Sequence, residues 1–117
     1  RLGTARYIVM ASPSLAKKLG RLKDPNEACW ISYCEDLAHL PDVSWLTAHV
    51  DPHRIVFRAN SLTAQIEAVR HGMGVKLETR PFLLLPGLQE VPLAPALKID
   101  RKSMIFKILP VGSLLIT

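Results

Sequence analysis

Apolar and polar positions alternate along this chain in a way that predicts short strands and short helices in turn. The stretch "ARYIVMASPSLAKKLG" opens with a nearly continuous apolar run, Tyr7 to Ala11. Ser12 follows as a possible helix N-cap, with Pro13 at the first helical position and Gly20 after the last turn, so a strand leads into a helix. In "DPNEACWISY", Asp24 and Glu27 stand three apart around Pro25, a capping-box pattern, and predict a short helix before a strand around Trp30 to Tyr33. Trp45, Leu46 and His49 then fall at helical spacing in "LPDVSWLTAHVDP", and Asp51 with Pro52 ends that helix.

The clearest pattern is "RIVFRANSLTAQIEAVRHGMGVKLETRPF". Arg54 to Arg58 is rich in β-branched and aromatic residues and reads as a strand. Asn60 or Ser61 can cap a helix that places Leu62, Ile66 and Val69 on one face. Gly72 closes that helix and Gly74 starts a strand over Val75 to Thr79. Strands alternating with helices predict an α/β fold built from βαβ units around a mainly parallel sheet, a Rossmann-like three-layer arrangement. Beyond Pro92 the pattern weakens: "LAPALKIDRKS" reads as a loop, and the apolar tail from Met104 to Thr117 as a strand.

Composition changes this picture little. With 117 residues and 49% hydrophobic content, the chain is the size of one domain with a modest core. Fifteen Lys and Arg against ten Asp and Glu give a net charge of +5, which favours phosphate-rich partners without identifying one. Lys17, Lys18, Arg21 and Lys23 form the densest basic group and read as a solvated helix end. Two cysteines are too few for a disulfide framework, and a reduced compartment suits them better. The apolar tail contains Lys107, Pro110 and Gly112 and is too short and broken to span a bilayer. The chain begins at Arg1, which suits a fragment or a processed product.

Several chemistries could rest on these residues. Gly72 and Gly74 lie at a helix end before a strand, the wrong side of the helix for a phosphate cradle, so a C-cap and a tight turn account for them. Cys29, Cys34 and His39 share five-residue spacings, but Cys-x4-Cys is not the usual structural zinc pattern, and a packed strand separates the thiols. A Cys34 nucleophile would need a positioned base, which the sequence does not display. The helix start at Asn60, Ser61 and Thr63 is the better candidate: free backbone N–H groups and small hydroxyls there suit a carboxylate or other small anion. Trp45 reads as core, His49, His53 and His71 as surface or capping residues, and Arg80 as a turn or interface residue.

Taken in order, "RYIVMASPSLAKKLG", "DPNEACWISY", the tryptophan at 45, "RIVFRANSLTAQIEAVRHGMGV" and "RPFLLLPGLQEVPL" resemble the effector-binding domain of LysR-type transcriptional regulators, over about residues 2 to 95. The strongest parts are Ala-Ser-Pro at 11 to 13, Arg-Ala-Asn-Ser at 58 to 61 and Gly-Met-Gly-Val at 72 to 75. The resemblance implies an incomplete fold of the type II periplasmic-binding-protein kind, with two α/β subdomains holding an effector between them. Residues 1–95 would be a partial effector-binding domain, with 12–73 as its second subdomain. The crossing strands would be 5–11 and 74–80, centred on Tyr7 to Ala11 and Val75 to Thr79. Residues 96–117 would be a divergent tail that matches neither the charged segment nor the final helix of the family, as a truncated or frame-shifted end would. It further implies effector contacts at Ser32, Tyr33, Asn60, Ser61 and Thr63. It implies no catalysis, cofactor, metal or membrane association, and a cytoplasmic regulator. DNA would be bound only through a winged helix-turn-helix lying before Arg1, and the full-length protein would be a homo-oligomer. One departure concerns the return strand, apolar in the family: here "GVKLETRP" carries Lys76, Glu78 and Thr79, so either that strand is exposed or the hinge is altered. A solute-binding protein fragment of the same fold, a small α/β enzyme using Cys34 and a basic nucleic-acid binder remain as alternatives.

Overall fold

A computed structural model describes residues 3–94 and 105–108 of the chain. Its elements are β1 (Gly3–Ala11), α1 (Pro13–Leu19), β2 (Trp30–Ser32), α2 (Pro41–His49), β3 (Ile55–Arg58), α3 (Leu62–Arg70), β4 (Lys76–Thr79), β5 (Gln89–Glu90) and β6 (Ile105–Ile108). Short 3-10 turns at Pro25–Glu27, Glu35–Leu37, Pro52–Arg54 and Arg80–Leu84 join them.

The local signals act as their chemistry requires. Ser12 Oγ accepts from Leu15 N at the start of α1, and Gly20 after it takes a φ of 61°, a left-handed turn that only glycine adopts without strain. Asp24 and Glu27 close a reciprocal capping box around a single 3-10 turn. Ser61, rather than Asn60, caps α3, its Oγ accepting from Ala64 N at 3.2 Å. Gly74 exists for a different reason than a turn. A Cβ there would lie 2.7 Å from the Cys29 carbonyl oxygen, because Val75 N donates to that same carbonyl at 2.8 Å.

The sheet departs from the parallel arrangement that the alternating pattern predicts. Among the described strands β1 pairs antiparallel with β4, β5 and β6, and β2 pairs parallel with β3. Two single parallel bridges, Trp30 to Val75 and Leu22 to Leu93, extend the parallel part. The reason is directional. β1 carries the chain into the α/β unit and β4 carries it back out alongside, so these two must run oppositely, whereas β2 and β3 are separated by a helical crossover that restores direction. Trp30, Trp45, Leu46, Val75 and Leu77 share the main core cluster with Val9 and Ala11. On the other side, Ile31 meets Ala68 and Val69 of α3. The apolar tail contributes β6, beside Gly3–Arg6; the loop expected over "LAPALKIDRKS" lies mostly outside the described residues, as do residues 109–117.

Candidate functional site

The ends of β2 and β3 and the start of α3 meet in one corner. Ala59 N donates to Ser32 O at 3.0 Å, and Cys34 N donates to Asn60 Oδ1 at 2.9 Å, which stitches residues 32–34 to residues 59–60. Ser61 and Thr63 follow directly as the first turn of α3. All five residues singled out in the sequence therefore fall in this corner, but they are not equally free.

Asn60 has both ends of its amide engaged: its Nδ2 donates to both Asp36 carboxylate oxygens, at 3.2 and 3.1 Å. It shapes the corner. Ser61 Oγ accepts from Ala64 N, and a hydroxyl that accepts still has its own proton to donate. Thr63 is exposed and borders a groove of about 220 Å³ between α3 and the Arg80–Leu84 turn, with Ile66, Arg70 and Phe82 along it. Ser32 is buried, and its Oγ makes no hydrogen bond. Tyr33 is half-buried, with its ring over the Lys76 ammonium at 4.9 Å.

That contact leads to a group of charges that the sequence signalled only as a departure. Lys76 and Glu78 lie on one face of β4, opposite Met10 and Ile8 of β1, and both are buried. The strand is thus not exposed. Lys76 Nζ stands 3.5 Å from Glu78 Oε2, close enough for an ion pair, yet it makes no hydrogen bond. Glu78 Oε1 accepts from Thr79 N at 3.0 Å. Burial holds the Lys76 ammonium below its usual pKa, against the opposing pull of Glu78 and Asp42. Asp42, buried at the start of α2, has its carboxyl pushed up by desolvation, with Lys76 acting the other way. Burial, helped by the charges of Glu78 and Asp42, also pushes the Tyr33 phenol up to about 12 and raises Tyr7. The signal that could have found this group was the alternation of Lys76 and Glu78 inside an otherwise apolar strand.

Other candidates have structural roles. Trp45 is core, 5.7 Å from Trp30 and stacked on His49 at 4.7 Å. His53 bonds Asp51, His71 bonds the Glu67 carbonyl, and Arg80 pairs with Glu90 at 2.8 Å. Among the described residues no three His, Cys, Asp or Glu side chains cluster as metal ligands would, and no helix is long and apolar enough to cross a membrane.

No family model matches the chain, and no curated protein matches it. Solved structures do. The effector-binding domain of QuiR in complex with shikimate superposes with a TM-score of 0.59 at 18% identity, over 89% of this chain and 51% of that one. The fold is that of the effector-binding domain of a LysR-type regulator. CbnR, a LysR family transcriptional regulator, gives a TM-score of 0.58 at 10% identity, over 86% of this chain and 38% of that one. The regulatory domain of CcmR from Synechocystis PCC6803, in complex with 2-PG, gives 0.54 at 16% identity, over 80% and 50%. The chain therefore spans about half the length of the two liganded domains.

Proposed function

We propose that this chain is the greater part of one subdomain, with its crossing strands, of the effector-binding domain of a LysR-type regulator, and that it senses a small anionic molecule. Residues 12–73 are the second subdomain, 5–11 and 74–80 the crossing strands, and 96–117 a divergent tail. Ser32, Tyr33, Ser61 and Thr63 face the effector, and Asn60 holds their corner in shape. No reaction occurs at the site. Closing the cleft on an effector shifts the population of domain arrangements, and so the presentation of the DNA-binding arms, which a winged helix-turn-helix before Arg1 supplies in a homo-oligomeric, cytoplasmic protein.

The observation that carries this reading is the place of the corner. It sits where strand ends and a helix start converge, beside the antiparallel β1–β4 pair, in a fold shared with two domains solved with shikimate and with 2-PG. The test is titration calorimetry of a full-length form with shikimate as the anionic probe. Ser61→Ala removes one charge-assisted hydrogen bond and is expected to weaken binding by roughly 1.5–3 kcal/mol. Unchanged affinity removes Ser61 from the site.

A further inference from the structure

Lys76 is the most deeply buried charged residue among those described. Its side chain is 1% exposed. An ammonium brings three donors, and here none of them is hydrogen-bonded. Its charge is balanced by Glu78 Oε2 at 3.5 Å and by the Tyr33 ring, but its donor capacity is open. Glu78 is held back from a closer contact because its other oxygen is fixed by Thr79 N. Such an arrangement is costly to fold and gains nothing from being left empty.

Its location gives the open donors a use. Lys76 faces Met10 in the crossing pair, and the single parallel bridge between Trp30, the first residue of β2, and Val75 sets β2 and β4 side by side from their starts. The lid over the ammonium is Tyr33, the first residue beyond β2 and only half-buried. A second buried polar atom without a hydrogen bond, Ser32 Oγ, belongs to the same strand end.

We propose that Lys76 is the charged anchor of the effector cleft, receiving the carboxylate of a monoanionic effector when the Tyr33 ring swings aside. This rests on the effector-binding reading above and names the chemistry that the site recognises. The cation has already lost its water on folding, so an incoming oxyanion gains charge-assisted hydrogen bonds without that further cost. Glu78 stays on Thr79 N while the ammonium turns its open donors to the ligand. Asp42 and Glu78 both add negative potential around it, which favours a single negative charge over a dianion.

The test is NMR on the full chain with its lysine side chains isotope-labelled, the Lys76 signal being assigned from its loss in Lys76→Met. Shikimate and inorganic phosphate are titrated at constant ionic strength. Expected is a saturable displacement of the Lys76 signal by shikimate, weaker binding of phosphate, and at least a tenfold loss of shikimate affinity in Lys76→Met. The wild-type titration stands even if that variant fails to fold. No saturable displacement of Lys76, unaltered affinity in Lys76→Met, or tighter binding of phosphate than of shikimate overturns the proposal. The two readings separate in the same spectra: shikimate moving the Ser61 and Thr63 amides but not Lys76 sinks the anchor alone. If neither probe moves those amides or Lys76, both fall.

Discussion

The two faces of the β1–β4 ribbon are made by the same eight backbone positions and obey opposite rules. On one face Val9 and Leu77 join Trp30 and Trp45 in the main core, where stability follows the apolar area removed from water. On the other, Ile8 and Met10 share their surface with Lys76 and Glu78, and a dry environment holds two opposite charges. The first face tolerates no loss of volume. The second tolerates loss of both charges better than loss of one, because a lone buried charge is worse than none.

Predictions that strain this contrast begin on the apolar face. Leu77→Ala leaves a cavity beside two tryptophans and is expected to cost about 2–5 kcal/mol, read as a lowered urea midpoint at unchanged slope. Glu78→Gln removes the nearest counter-charge of Lys76 and is expected to cost about 3 kcal/mol, at the lower end for a broken buried pair because Asp42 and the Tyr33 ring remain. Lys76→Met combined with Glu78→Leu removes both charges at similar volume and is expected to leave stability unchanged or to raise it by about 1 kcal/mol. A loss comparable with that of Leu77→Ala would mean that the two faces obey one rule after all.

The subtlest test is alkaline. Because the folded Lys76 holds its proton less tightly than the unfolded chain does, unfolding takes up a proton between its lowered pKa and 10.5. Stability should therefore rise with pH through that window, and the rise should vanish in Lys76→Met. Tyr33 opposes this above 10.0. Its pKa is raised to about 12, so the folded chain keeps a phenol proton that the unfolded chain has lost, and stability falls through that range. Tyr7 shifts in the same direction, and these are the two tyrosines of the chain. Phenolate absorbance should thus stay low in the folded protein between pH 10.0 and about 12 and appear at once on adding urea.

Much of the fold is written locally. Ser12, Pro13 and Gly20 bracket α1, Asp24 and Glu27 mark their turn, and Ser61 starts α3 because each of these signals is a side chain satisfying backbone groups within a few residues. Features that depend on distant neighbours are harder to read. The direction of β4 follows from its pairing with β1, almost seventy residues earlier by register from Met10 to Lys76. β5, only Gln89 and Glu90, is a strand solely because β1 lies beside it. Gly74 could be placed by its motif, but its cause, the Cys29 carbonyl, could not. In the candidate site, the corner was legible because strand ends and helix caps are local. Which atoms in it are free was not: Asn60 looks available in sequence and is fully engaged by Cys34 N and Asp36. The charge of Lys76 was visible as an anomaly, but its partners come from the residue just beyond β2, from α2 and from its own strand together.

One core contact makes the protein observable from within. Trp30 and Trp45 are the only tryptophans of the chain, both are buried, and their rings lie 5.7 Å apart at 53°. Indoles so close and so inclined couple their strong far-ultraviolet transitions, which adds a dichroic couplet that neither ring would produce alone. Because one ring rides on β2 and the other on α2, any slip between strand and helix would change that couplet before the backbone unravels. The chain thus carries its own optical gauge of packing, readable without a dye or a label.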